Sequence, residues 1–327
     1  MSAKACSRPS ASPASARCSS PAPRFWTSSR RRATTGRDRP PAPGAIRRVL
    51  NDLRELWKHR ELLGILVRRD LKVRYKNSRL GFLWSIAPPL MQVACITFAL
   101  KHATSFAADF PNYSAYVLVA MIPWTYFQTA ILDSSQSLLL MYGVIKKVAL
   151  PREIIPLSNA ISNFIHFLLS WAVFFVYWWL FVRGPILPST PLFLYLILVQ
   201  FMLVTGLSLL VACLNVFYED VKYIVSILMG LGLFVLPIIY VVEQPYYSAT
   251  SFLKGWRFDL FMLNPLTSLI TGYRKALLEP PPASVLGGNP LPLDYGNLAA
   301  TGLLSLAVLA ASYWYFNLRK WQFVERP

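Results

Sequence analysis

The sequence lacks a phosphate-binding loop: no Gly-x-x-x-x-Gly-Lys-[Ser/Thr] segment occurs in its 327 residues. That loop supplies the backbone N–H groups and the lysine that hold nucleotide phosphates, so the chain cannot hydrolyse a nucleotide by this route. The four cysteines, Cys6, Cys18, Cys95 and Cys213, show no spacing typical of a metal site or a redox pair. We therefore expect no metal and no cofactor in this chain.

Charged residues are scarce, at 15% of the sequence, whereas 55% of residues are hydrophobic and 14% are aromatic. Apolar stretches approach the roughly 20 residues with which a helix crosses about 30 Å of hydrocarbon. Separate spans of this length satisfy their backbone hydrogen bonds in lipid only as helices. The sequence therefore predicts an all-α integral membrane protein with six transmembrane helices, at residues 80–100, 115–132, 157–182, 192–214, 223–242 and 298–318.

The predicted spans also lack the ionisable residues expected of a proton-coupled carrier. Away from the span ends only His166 is found, and we interpret it as a packing residue, while Asp133 is interpreted as a charge at the end of the second span. A membrane enzyme would need paired acids, metal-binding histidines or an activated nucleophile. The adjacent acids Glu219 and Asp220 have no neighbouring histidine, which favours a protein contact over catalysis.

Basic residues are concentrated near the N-terminus, since residues 1–80 hold 20 of the 33 Lys and Arg but 5 of the 15 acids. Residues 1–45 are rich in Ser, Ala, Pro and Arg and predict a disordered basic tail; an organelle transit peptide and an over-extended translation start are the alternatives. Residues 46–79 place apolar side chains at helical spacing among many cations, which predicts an amphipathic interfacial helix. Anionic lipids are favoured over nucleic acid as the partner of these cations.

The distribution of cations next to the predicted spans, including those of residues 61–80, predicts an orientation. With the N-terminus inside, 13 Lys and Arg flank the cytoplasmic side and 6 lie outside, so both termini are placed in the cytoplasm. The last outer loop has an apolar middle, residues 258–278, interrupted at Asn264 and Pro265. This pattern predicts a re-entrant segment between the fifth and sixth spans, covered by protein or lining a cavity. A seventh full span is the alternative, and it would move the C-terminus outside.

Aromatic residues are frequent inside the spans, and their faces can stack on the apolar surfaces of sugar rings. Most are expected to form interfacial belts and packing contacts. The candidates for lining a translocation path are Trp84, Tyr126, Phe127 and Trp171.

Four segments, in order within residues 46–327, together carry a family resemblance. They are RRDLKVRYKNSRLGFLWSIAPPL at 68–90, KKVALPREIIP at 146–156, NVFYEDV at 215–221 and NPLTSLITGYRKALL at 264–278. As a set they resemble the permeases of type-2 ABC transporters that export polysaccharides and polyol phosphates.

The resemblance implies a six-span permease domain over residues 80–327, acting as a homodimer with two P-loop ATPase subunits that bind ATP and Mg. The implied cargo is a lipid-linked glycan such as O-antigen, capsule or teichoic acid, moved across the cytoplasmic (inner) membrane. The chain would then be a transport subunit and not an enzyme. A type-2 permease for drugs or lipids, and an integral membrane glycosyltransferase or acyltransferase, are the alternatives.

The resemblance also implies roles for particular residues. Those expected to couple to the ATPase are Lys146, Lys147, Pro151, Arg152 and Glu153, with Glu219 and Asp220 as a second contact. Cations at the inner leaflet would meet the pyrophosphate of the substrate, because guanidinium groups suit phosphate oxygens; they are Arg68, Arg69, Lys72, Arg74 and Lys76. The outer re-entrant loop would contain Asn264, Pro265, Gly272, Tyr273 and Arg274.

Overall fold

The computed structural model of the protein describes residues 54, 56–75, 83–103, 110–145, 150–185, 187–247 and 255–324. Within these ranges the chain is helical and forms no strand. The predicted tail at residues 1–45 lies outside them, as do Lys76, Lys146, Lys147 and the side chain of Trp84.

The helices are numbered here in chain order. They are α1 (Arg60–Tyr75), α2 (Leu83–Ala103), α3 (Tyr113–Leu140), α4 (Tyr142–Ile145), α5 (Ile154–Tyr177, continued by a π-helical turn at Trp178–Val182), α6 (Leu192–Phe217), α7 (Val221–Val235), α8 (Glu243–Tyr247), α9 (Trp256–Leu263), α10 (Pro265–Leu277), α11 (Ala283–Leu286), α12 (Tyr295–Arg319) and a 3₁₀ segment at Lys320–Val324.

Four helices in the described ranges are long and apolar enough to cross a membrane: α3, α5 with its π-helical turn, α6 and α12. They confirm the spans predicted at residues 115–132, 157–182, 192–214 and 298–318. The other two predicted spans correspond to α2 and α7, which are not among the four. The six-span plan therefore stays a prediction for these two helices.

Helix α7 ends earlier than the sequence pattern indicated. It has 15 residues, about 22 Å at the α-helical rise, and stops at Val235, whereas the predicted span continued to residue 242. Leu236 is extended, with ψ 151°, because the ring of the following Pro237 disfavours helical geometry in the residue before it.

Helix α3 is the centre of the molecule, packed by α2, α5, α6, α7 and α10. Its apolar side chains are buried on nearly all sides from Tyr113 to Ile131. It also runs past the predicted end at residue 132, so Asp133 lies inside the helix and not at its boundary. Asp133 is therefore not a helix-end charge, while its position at the boundary of the membrane span stays a prediction.

Helices α6 and α12 approach so closely that their backbones touch. A Cβ atom placed on Gly206 of α6 would lie 2.8 Å from Cα of Leu309 in α12. Small residues permit this kind of approach between apolar helices. The two helices therefore pack as a tight pair.

The predicted interruption in the last loop separates two helices, α9 and α10. Asn264 ends α9 and caps α10, since its Oδ1 accepts a hydrogen bond from the Leu266 N–H at 3.0 Å. Pro265 occupies the first turn of α10, where its missing N–H leaves no helical hydrogen bond unmade. These two residues therefore produce the break between the helices. Whether the segment enters the membrane and returns stays a prediction.

Candidate functional site

The predicted coupling residues that the structure describes lead directly into α5. Pro151 and Arg152 are half-buried, and Glu153 is buried. The carbonyl of Pro151 accepts a hydrogen bond from the Ile154 N–H at 3.1 Å, which starts the first turn of α5. The loop therefore continues rigidly into a long helix, a geometry suited to passing a displacement into the bundle.

Glu153 points into the protein, where its carboxylate meets the end of α12. Lys320 Nζ donates a hydrogen bond to Glu153 Oε1 at 2.8 Å. The exposed fraction of these side chains is 15% for Lys320 and 3% for Glu153. Sequence reasoning counted Lys320 only as a cytoplasmic charge; the signal that was available is an acid placed directly before an apolar span, which needs a cationic partner once buried.

Arg152 lies beside the same C-terminal segment. Its guanidinium carbon is 6.0 Å from the centre of the Phe323 ring, and its Nη1 has no hydrogen-bond partner among the described residues. Burial lowers the pKa of Arg152, and the Glu153 carboxylate partly offsets this effect.

An apolar cluster joins the helix ends around this pair. We call it the Phe323 cluster; its buried members are Leu138, Ile155, Leu209, Ala212, Cys213, Phe316 and Phe323. These residues come from α3, α5, α6, α12 and the 3₁₀ segment, so one end of each long helix meets here. The predicted coupling loop, whose described coupling residues are Pro151, Arg152 and Glu153, is therefore packed together with these helix ends.

The second predicted coupling contact, Glu219 and Asp220, lies on an exposed turn between α6 and α7. Lys222 Nζ is 3.8 Å from Glu219 Oε2, and Asn215 Oδ1 accepts a hydrogen bond from the Lys222 N–H at 3.0 Å. Asn215 therefore fixes the turn while both acids remain accessible. This exposure suits a surface that another protein contacts.

Arg74, one of the predicted inner-leaflet cations, is tied to two transmembrane helices. Its Nη2 donates to Asp133 Oδ2 of α3 at 2.7 Å, and its Nη1 donates to Asn163 Oδ1 of α5 at 3.0 Å. Asn163 Nδ2 also donates to Asp133 Oδ2 at 3.0 Å, which closes the triad. Asn163 was missed because an isolated amide inside an apolar span carries no motif.

Arg74 and Asp133 of the triad border a cavity of about 520 Å³ between α1, α3 and α5. Arg69 and Asp70 line it as well and form an ion pair of 2.8 Å. With Arg74 and Asp133, the lining therefore holds two cations and two anions. The other described cations of the predicted set, Arg68 and Lys72, are exposed and do not line this cavity.

Three of the candidate path-lining aromatics are covered by the chain itself. Tyr126, Phe127 and Trp171 are each at most 5% exposed. Tyr126 stacks on Phe167 with ring centres 4.7 Å apart, and Trp171 lies 5.1 Å from Tyr273. Their contacts here are packing contacts within one subunit, and the path-lining role stays a prediction.

Arg274 of the predicted outer loop is buried and surrounded by backbone carbonyls. Its Nε donates to Tyr116 O at 3.1 Å, and its Nη1 donates to Pro237 O at 2.7 Å and to Tyr240 O at 3.0 Å. Its Nη2 donates to Ile238 O. The side chain thereby satisfies the non-helical segment that follows α7 and fixes α10 against α3.

Gly272 and Tyr273 also pack inside the subunit. A Cβ on Gly272 would lie 3.0 Å from Leu196 Cδ2 of α6 and 3.1 Å from Leu298 Cδ2 of α12. Tyr273 is fully buried against Trp171 and Phe193. The structure thus brings the predicted outer-loop residues from 272 to 274 together in the core and leaves the helix break at residues 264–265 outside it.

The family model described as ABC-2 type transporter matches residues 61–278. The chain belongs to the ABC-2 type transporter family. The matched range of this ABC-2 protein contains α1 to α10, both predicted coupling segments and the Arg74 triad, so the family resemblance of the sequence is confirmed.

Three similar proteins carry one name, O-antigen export system permease protein RfbA. The protein of Myxococcus xanthus is 28% identical over 273 residues, covering 84% of this chain and 98% of its own length. One protein of Klebsiella pneumoniae is 31% identical over 211 residues, covering 62% of this chain and 80% of its own. A second is 28% identical over 265 residues, covering 81% and 94%. The similarity of this ABC-2 protein to export permeases therefore extends along most of the chain.

Proposed function

We propose that this chain is the permease subunit of an ABC exporter that moves a lipid-linked polysaccharide of the O-antigen class across the cytoplasmic membrane. The observation that carries the proposal is the similarity to O-antigen export permeases over 84% of the chain. The lack of a P-loop in the sequence supports a division of labour in which a separate subunit binds ATP and Mg and hydrolyses the nucleotide.

The coupling surface supports the same proposal. Arg152 and the exposed acids Glu219 and Asp220 would meet the ATPase subunit, while the buried Glu153 holds the loop to the protein. The charges of Arg152 and of the two acids differ in sign, so the ATPase surface would need a complementary pattern. Lys146 and Lys147 would extend this contact.

The apolar surface of α7 supports a dimer of permease subunits. Ile224, Ile227, Leu228, Leu231 and Phe234 are all more than half exposed. Within a membrane such a face is covered by lipid or by another helix. We propose that two copies of the chain assemble with two ATPase subunits, with both termini in the cytoplasm.

The cavity at α1 supports a role in substrate loading. Its arginines Arg69 and Arg74 pair with Asp70 and Asp133 but keep 42% and 38% of their side chains exposed, and Arg68 and Lys72 are exposed as well. Because such exposed ion pairs are weak, a diphosphate would meet Arg69 and Arg74 as well as Arg68 and Lys72. The pyrophosphate site is thus proposed at the exposed face of α1.

The test is purification of the tagged protein from its native membrane in mild detergent, with identification of its partners and an ATPase assay. We expect a P-loop ATPase in equal amount and hydrolysis that rises with lipid-linked glycan extracted from the same membrane. The polyprenyl phosphate carrier without glycan serves as the control and should not stimulate. Stimulation by drugs or simple lipids alone would favour the other type-2 permeases, and turnover by the chain without a partner would favour a membrane enzyme.

A further inference from the structure

The predicted coupling loop is linked to the last transmembrane helix by one buried ion pair. Glu153 Oε1 and Lys320 Nζ are 2.8 Å apart, although 167 residues separate them in the sequence. Both side chains are largely removed from solvent, at 3% and 15% exposure. We propose that Lys320 is a positioning residue that transmits movement of the loop before α5 to α12; this inference rests on the proposed transport function.

Burial makes this pair resistant to separation. In water, two separated ions are stabilised by hydration, but a carboxylate at 3% exposure cannot gain that hydration without opening the packing around it. The attraction between the charges is also stronger where the surrounding dielectric constant is low. A displacement of Glu153 is therefore expected to carry Lys320 with it.

Aromatic packing reinforces the same connection. The Phe323 ring lies 5.5 Å from Phe316 of α12 and 5.7 Å from Phe217 of α6, measured between ring centres. The guanidinium carbon of Arg152 lies 6.0 Å from the centre of the same Phe323 ring. Arg152 and Glu153 thus both contact the segment that follows α12, so the loop and this segment form one unit.

The displacement would not stop at α12. The close approach of Gly206 to the backbone of Leu309 packs α12 tightly against α6. At the opposite end of the pair, the Tyr195 hydroxyl of α6 donates to Leu298 O of α12 at 2.9 Å. A push on Glu153 would therefore move α6 and α12 together.

The experiment compares three variants of the purified exporter complex in vesicles that contain the extracted lipid-linked glycan. Lys320→Met leaves the Glu153 carboxylate buried without its cation. The double variant Glu153→Gln with Lys320→Met removes both charges with little change in shape, so the fold should be retained. The charge swap Glu153→Lys with Lys320→Glu restores opposite charges. Lys101→Met, at an exposed position near the end of α2, is the matched control.

The quantity measured is the amount of glycan transported per ATP hydrolysed, together with the melting temperature of each complex. We expect the single and the neutral double variants to lower this ratio about fivefold, the range seen when residues that carry coupling are changed. The neutral double variant should melt near the wild type, and the swap should recover the ratio to within about twofold. Lys101→Met should leave it unchanged.

Two results would overturn the inference. A neutral double variant that keeps the wild-type ratio would show that the pair only supports the fold. A folded swap variant with the low ratio of the single variant would show that the ion pair is not the link. Failure of the proposed function gives a different result, because the wild-type complex itself would then lack an ATPase partner or glycan-dependent hydrolysis.

Discussion

At the scale of single residues, Arg274 is a buried cation whose described hydrogen bonds all go to backbone carbonyls. Its planar guanidinium group donates to four backbone carbonyls at once, and the guanidinium carbon also lies 4.5 Å from the centre of the Tyr116 ring. Lysine carries one nitrogen and cannot reproduce this geometry. The residue therefore acts as a structural clamp between α10, α3 and the segment after α7.

We expect Arg274→Lys to destabilise the protein by about 2–4 kcal/mol, since carbonyls of buried residues would lose their donors. Thermal unfolding in detergent measures the change. Arg257→Lys, an exposed cation on α9, is the matched control and should shift stability by less than about 0.5 kcal/mol. Equal melting temperatures for the wild type and Arg274→Lys would contradict the clamp.

Single residues also show why the partners of polar side chains could not be predicted from the sequence. Glu153 and Arg74 were identified as candidates because the resemblance and their charge marked them. Their partners Lys320 and Asn163 lie 167 and 89 residues away and belong to no local pattern. The packing of the helices determines which residues meet over such separations. The spacing of residues along the chain does not carry this information.

At the scale of the elements, the contact between α6 and α12 depends on the absence of a side chain at Gly206. Its virtual Cβ would lie 2.8 Å from Leu309 Cα and 2.9 Å from Leu309 N. Backbone atoms cannot rotate away from such a clash as a flexible side chain can. The helices would have to separate along their length.

Gly206→Ala should therefore destabilise the protein by about 1–3 kcal/mol, the usual effect of overpacking. Gly230→Ala in α7 is the matched control, because nothing lies within 4 Å of its Cβ position. The control should be neutral or slightly stabilising, since alanine favours helix by up to about 1 kcal/mol over glycine. Melting temperatures in detergent measure both, and equal behaviour of the two variants would argue against the close contact.

The ends of the helices show which sequence signals were sufficient to predict where a helix begins or ends. The four confirmed spans were evident because long apolar runs leave no alternative to helix in lipid. The end of α7 was placed wrongly because hydropathy continues past Val235, while the helix is stopped by the ring of Pro237. The break between α9 and α10 was located correctly because Asn264 and Pro265 are both helix-start residues.

At the scale of the whole molecule, the N-terminal basic tail and α1 should differ in importance. Deletion of residues 2–44 should leave complex assembly and export unchanged, because that composition cannot form a core. Extending the deletion through Tyr75 should abolish assembly or export, since it removes Arg74 and its bonds to α3 and α5. Co-purification with the ATPase and export in cells are the two measurements. Loss of assembly with the short deletion would show that the tail is structural.

The sequence by itself determined the membrane class, four of the spans, the lack of a P-loop motif and the family, because each follows from composition or from contiguous motifs. Only the tertiary structure decided which polar groups meet. It paired Glu153 with Lys320 and enclosed Arg274 in carbonyls. The physical reason is burial: a charge removed from water must find a partner in space, and the packing of distant helices supplies it.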